Sequence, residues 1–310
     1  MAETLIFSVD GIEHEIDLDT TRSPRTLARI LDALPATVDV HCAKIAGSHI
    51  MWPVPVVERL EAGADVLAMP PGACFYWPER QYLEITYDAL QAETASVSYL
   101  GRVAGDVGWL RDYAERQRRE QGRRIFRAGV FVRGRSSARA AAMPEEPDAW
   151  RRLCCARRDA WKEEPADVRA LLDRRGLNLP FGALAMAEGE LRKLHELLWR
   201  LWNEGERRGD AEKVAIAVFA LDAAIGRVGG FCHMQATAKS LQDGIACLTQ
   251  TLVPSEAILT ELVLYVGRMA AWLDLHICWW PINELTLEAL KQTGPNGRGG
   301  AKRPLTVASE

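Results

Sequence analysis

Apolar residues recur at every second position in short runs before Gly134, and at every third or fourth position in long runs after Trp150. The first spacing is that of half-buried strands, the second that of amphipathic helices. TLIFSVDG and IEHEIDLD predict a hairpin turning at Asp10-Gly11. SPRTLARILDAL predicts a helix, with Ser23 as N-cap, Pro24 in its first turn, and Leu27, Ile30, Leu31 and Leu34 in one stripe. Strands are expected in ATVDVHCAKIAG, in SHIMWPVP up to its prolines, in two or three pieces of ADVLAMPPGACFYWPERQYLEITYD, and in ASVSYLGRVAGD. A helix in VGWLRDYAERQRREQG and a strand in RRIFRAGVFV complete the first module.

The pattern divides the chain into a β-rich domain (1–133), a linker (134–149), a helical domain (150–292) and a disordered tail (293–310). In the helical half, Leu191, Leu194, Leu198 and Leu201 line one stripe of an amphipathic helix. EKVAIAVFALDAAIGRVGGFCHMQ is nearly all apolar and is expected to be the buried central helix of a bundle. SEAILTELVLYVGRMAAWLDLHICWW forms a second core helix.

Composition narrows the functional classes. The 310 residues carry 38 basic and 42 acidic side chains, a net charge of −4, so no whole-chain field draws nucleic acid or membrane. The arginine-rich RQRREQGRRIFR is interleaved with glutamate and reads as a solvated helix face. No apolar run is long enough for the ~20 residues of a membrane span, and MAETLIFSVDGIEHEID is no signal peptide. Seven cysteines without a CxxC pair fit reduced thiols, so a soluble cytoplasmic protein is expected. P-loop, dinucleotide-binding, GxSxG and HExxH motifs are absent, and the six histidines are too scattered for a local zinc motif.

Three groupings could carry chemistry. Lys44, His49 and Trp52 surround a strand–turn; alternation puts His41 and Ala43 on one face, Cys42 and Lys44 on the other. Lys44 is either an inward anion ligand or an ordinary outward lysine. Tyr76, Arg80, Tyr82 and Glu84 lie on adjoining strands, and Tyr82, Glu84 and Thr86 share a face. On a barrel interior such an acid could act as a base; on a solvent face it is merely polar surface. Asp222, Arg227 and His233 lie along the apolar helix, where charge is costly unless paired or functional, although a lone buried histidine is more often a satisfied core residue. Asp274, His276 and Glu284 form a similar scatter beside Trp279 and Trp280.

AKIAGSHIMWP, YWPERQYLEI and the closing SYLGRVAGD, followed by a helix and a last strand, resemble the small cyclophilin-like barrels of bacteria. Joined to an all-helical C-terminal domain, such a barrel resembles the opine synthases of the cucumopine and mikimopine type, over nearly the whole chain. The resemblance implies an α+β protein of two domains: an N-terminal cyclophilin-like β-barrel, then a helical bundle. It also implies a cofactor-free Pictet–Spengler condensation of L-histidine with 2-oxoglutarate. The amine forms an imine with the keto group, an imidazole carbon closes the ring, and loss of a proton restores aromaticity.

That chemistry needs cations for three carboxylates and groups that move protons. Residue chemistry and alternation select Lys44, Arg80, Arg102 and Arg227 as carboxylate ligands, and Trp52 and Trp77 as aromatic walls. Glu84 is the expected base, with His49 or His233 as partner and Tyr76 as proton donor or orienter. The expected partners are small molecules, and the tryptophans of the helical half suit a homo-oligomer. Competing readings are a relative using another amine and 2-oxo acid, a non-catalytic binder of small acids, and a peptidyl-prolyl isomerase.

Overall fold

The computed structural model describes residues 4–44, 47–91, 94–134, 148–173, 180–250 and 252–293. The expected linker and the tail beyond Thr293 fall almost wholly outside them. The first domain comprises β1 (Thr4–Val9), β2 (Ile12–Leu18), α1 (Pro24–Asp32), β3 (Ala36–Cys42), β4 (His49–Pro53), β5 (Gly63–Asp65), β6 (Ala73–Trp77), β7 (Tyr82–Thr86), β8 (Ser96–Val103), α2 (Gly108–Glu120) and β9 (Phe126–Val132). The second comprises α3 (Asp148–Lys162), α4 (Ala166–Leu172), α5 (Pro180–Asn203), α6 (Asp210–Ile225), α7 (Gln235–Gln250), α8 (Ser255–His276) and α9 (Trp279–Thr293).

The strands run antiparallel in the order β2-β1-β9-β3-β4-β7-β6-β8, with β5 flanking β8, and β2 pairs with β8 to close an eight-stranded barrel. Closure needs a glycine. A Cβ on Gly101 of β8 would stand 2.2 Å from the Asp17 carbonyl oxygen of β2. Val38, Val40, Ile50, Trp52, Cys74, Tyr76, Leu83 and Ile85 fill the interior, with Leu27, Ile30 and Leu31 of α1 and Leu110 and Tyr113 of α2 added to the same core. The two-domain α+β architecture expected from the pattern is the one observed.

The helical domain is built around α8, not around the apolar segment that begins at Glu212. Fifteen of the 22 residues of α8 are buried, against four of the 16 in α6. At about 1.5–3 kcal/mol per buried large aliphatic or aromatic side chain, that difference decides which helix contributes most to the core. The bundle also explains the charges on α8: it buries Arg268 and Asp274 only because both find partners on the barrel. Continuing α6, Gly226–Phe231 is a π-helical turn, after which His233 takes a positive φ of 59° and the chain reverses. Asp210–Phe231 is long and apolar enough to cross a membrane, which the sequence pattern had excluded; 28% of its most apolar stretch is buried in the bundle.

Candidate active site

Strand alternation turns Asp39, His41, His49, Met51, Tyr82, Glu84 and Thr86 away from the barrel interior. Of the two placements the sequence left open for the face of Tyr82, Glu84 and Thr86, barrel interior or solvent, neither holds: the face lies outside the barrel. It is nevertheless buried, Asp39, His41, His49, Glu84 and Thr86 alike, and α5 and α8 cover it at Asp39, His41 and Tyr82.

Glu84 is fully buried, and its Oε2 lies 3.4 Å from His49 Nε2. Burial, aided by the Arg118 cation, pulls the His49 imidazole down to about 4, so it is neutral at neutral pH. Arg118 fastens the turn that carries His49: it donates to Gly47 O at 3.0 Å and to Tyr87 Oη at 2.7 Å, and stacks on Trp280.

Beside this pair lies a cationic cluster. β3 ends at Cys42, so alternation no longer governs Lys44. The ammonium swings to the same side as His41, and both contact Asp274 of α8. The Lys44 amine, over the Trp279 ring at 5.9 Å, is lowered to about 7, chiefly by burial and then by Arg192, with Glu188 and Cys42 working the other way. Arg192 of α5 pairs with Glu188 at 3.2 Å and reaches Tyr82 Oη at 3.5 Å, leaving Nη1 unpartnered. One turn on, His195 Nε2 donates to Gln81 Oε1 at 2.5 Å, since the Gln81 amide nitrogen is spent on Pro78 O. Gly267 lets α8 pass this imidazole: a Cβ there would stand 2.7 Å from Nε2.

The ten residues selected from the sequence separate into groups. His49 and Glu84 pair on this face, and Lys44 joins His41 on Asp274 beyond the end of β3. Arg80 and Trp77 stand at its rim, the guanidinium over the indole and bonded to Glu196 of α5 at 2.5 Å. Trp52 packs on Phe7 at 5.1 Å inside the barrel. Tyr76 is also interior, donating to Val56 O at 2.7 Å, and burial pushes its hydroxyl far up. Arg102 is exposed on β8, and Arg227 and His233 are exposed at the end of α6, so none of the three joins the cluster. Reasoning from the sequence missed His41, Arg192 and His195, and named Asp274 without a role. The usable signal was charge inside the apolar run of α8. A groove of about 1030 Å³ runs past Arg59, Trp202 and Lys213 and contains none of these groups. Among the described residues no cluster of His, Cys, Asp and Glu suits a metal ion.

The fold and this site define a two-domain α+β protein with a polar, buried barrel face roofed by a helical bundle. Among solved structures, McbB in complex with tryptophan superposes at a TM-score of 0.75 with 18% identity, over 91% of this chain and 99% of McbB. The chain thus has a McbB-like fold. The solution structure of the hypothetical protein AF2241 from Archaeoglobus fulgidus matches at a TM-score of only 0.33, with 19% identity over 42% of this chain and 94% of that one, and carries no argument. No protein-family model and no curated relative matches.

Proposed function

We propose that the protein catalyses a Pictet–Spengler-type condensation of an aromatic amino acid with a 2-oxo acid, and that L-histidine with 2-oxoglutarate is the first pair to test. One observation carries the reading. On a single buried face, an acid–imidazole pair, Glu84 and His49, lies beside two cations, Lys44 and Arg192, supplied by different domains. Lys44 and Arg192 take the carboxylates, Arg192 as a fork with a donor to spare. Glu84 accepts the proton that leaves the ring, His49 holding its carboxylate in place. Trp279 and Tyr82 wall the site. Enclosing both reactants beneath the bundle supplies proximity. No step changes oxidation state overall, so the sequence of imine formation, cyclisation and proton loss is complete without a redox partner.

A tryptophan-using relative is the second reading, favoured because the structural neighbour holds tryptophan. Tryptophan, like histidine, sets a nucleophilic ring two carbons from its amine. The test is a mass-spectrometric assay of each amino acid with 2-oxoglutarate. The expected product has the summed mass less one water and resists borohydride. Binding of 2-oxoglutarate without product from either amine, by folded protein, would instead make this a binding protein.

A further inference from the structure

His41 and Asp274 have no part in that scheme, yet they are built with more care than a framing contact needs. His41 Nδ1 lies 2.9 Å from Asp274 Oδ2, and both side chains are buried. A carboxylate only accepts, so Nδ1 carries the hydrogen. In the neutral ring, Nε2 is then a bare lone pair, and it is buried without a hydrogen-bond partner. Asp274 is itself fixed through its other oxygen, which meets Lys44 and accepts from Trp279 Nε1 at 3.3 Å. A carboxylate that orients one nitrogen of an imidazole while the other is left open is the arrangement of a general base.

Position is the second observation. His41 is in register with Met51, and Met51 with Glu84, so the three form one row across β3, β4 and β7 on the outer face. His41 and Glu84 therefore stand about 10 Å apart at the backbone, two strand spacings. Met51 between them is half-buried while both neighbours are buried. A condensation needs a proton moved at the amine as well as one at the ring, and this row offers one group for each.

We propose that His41, oriented by Asp274, is a second catalytic residue that moves the proton of the substrate amine. The inference rests on the condensation proposed above. His41 Nε2 takes a proton from the substrate ammonium, and the freed amine adds to the keto carbon to give a carbinolamine. The imidazolium then returns its proton to the carbinolamine hydroxyl, the C–O bond breaks, and water leaves an iminium. Substrate ammonium and keto acid go in, iminium and water come out, and His41 ends neutral. Asp274 is a positioning residue, and its charge stabilises the transient imidazolium.

The charged and titratable groups around the ring fit this duty. Lys44, Arg192 of α5 and Arg268 of α8 surround it, together with Asp39 on its own strand and the Tyr82 ring at 5.6 Å. Burial and the three cations hold the free imidazole neutral, with Asp39 opposing them. A substrate carboxylate bound at Lys44 and Arg192 offsets part of that cationic field, so His41 becomes a stronger base when substrate is present.

Two measurements test this. In nitrogen-15 spectra of histidine-labelled protein, the His41 signals are assigned by their loss in His41→Gln. The proposal expects a neutral Nδ1–H ring at pH 7 that shifts toward the doubly protonated form when 2-oxoglutarate is added. An Nε2–H ring would overturn it. The second is borohydride trapping with an amine that the wild type turns over. Glu84→Gln is expected to accumulate imine, trapped as a secondary amine. His41→Gln should form imine about 100-fold more slowly, and Asp274→Asn, which also releases Lys44, should lower kcat by a larger factor than it changes KM. A folded His41→Gln that traps imine at the Glu84→Gln level would overturn the role. Failure of the condensation reading itself appears differently, as a wild type without product, and the tautomer measurement stands apart from it.

Discussion

The two faces of β3, β4 and β7 are both largely buried and chemically opposite. The inner face carries Val38, Val40, Ile50, Trp52, Leu83 and Ile85 and belongs to the barrel core. The outer face carries Asp39, His41, His49, Tyr82 and Glu84 beneath α5 and α8. An apolar face gains from burial whatever covers it, whereas a polar face loses unless its partners are placed individually. The bundle places them: Arg268 on Asp39 at 2.5 Å, Asp274 on His41, and Arg192 on Tyr82. The difference teaches where function resides, because only the outer face holds groups that packing alone does not require.

The sharpest way to break this comparison is Glu84→Gln. It removes the proton-accepting carboxyl from a fully buried site at nearly constant volume. Turnover should fall about 10²–10⁴-fold, with substrate binding by calorimetry retained. Full activity would remove Glu84 from the chemistry.

The inner face should answer in the other currency. Trp52→Ala deletes a fully buried indole packed on Phe7, and should cost about 3–5 kcal/mol in denaturant unfolding. Activity per folded molecule should stay close to wild type. A Trp52→Ala protein of normal stability but lost turnover would mean that the inner face takes part in the reaction after all.

How much of this was legible in the sequence follows from the same geometry. Alternation correctly grouped Tyr82, Glu84 and Thr86, because parity along a strand is local. It could not say which parity faced inward, since a covered outer face removes the usual solvent cue. Lys44 escaped alternation because the strand stops two residues before it. Arg192, His195 and Asp274 reach the site from helices more than a hundred residues away, and no local pattern encodes that approach. Charge in an apolar helix must be paired or functional only where it is buried: Asp222 and Arg227 are exposed, whereas Arg268 and Asp274 of α8 are buried and each partnered on the barrel.

Acid should sharpen the comparison next. His49 is lowered from 6.5 to about 4 in the folded protein. A depressed histidine means that the unfolded chain takes up its proton first. Its contribution to stability is therefore complete above pH 6.5 and is lost as pH falls toward 4, by up to about 3 kcal/mol. Urea unfolding followed from pH 7 to pH 4 should show that loss, and His49→Gln should flatten it. His41 and His195, also lowered, add in the same direction. An unchanged slope in His49→Gln would mean that this imidazole is not held neutral by burial.

The smallest expected effect on stability tests the helix whose sequence misled most. α6 is as apolar as a core helix, yet Phe219 is 78% exposed and Phe231 59%. Phe219→Ser should change unfolding free energy by less than about 0.5 kcal/mol, as surface substitutions do. A homo-oligomer of the kind expected from the sequence would use this face. Two copies of α6 crossing antiparallel at Phe219 would bring the acidic end, Asp210 and Glu212, opposite Arg227 of the other copy. Phe219→Ser should then elute later in size exclusion than wild type at equal concentration, with turnover unaltered. Two identical monomer profiles would leave the apolar face of α6 without an oligomeric role, and the site beneath α5 and α8 would be complete within a single chain.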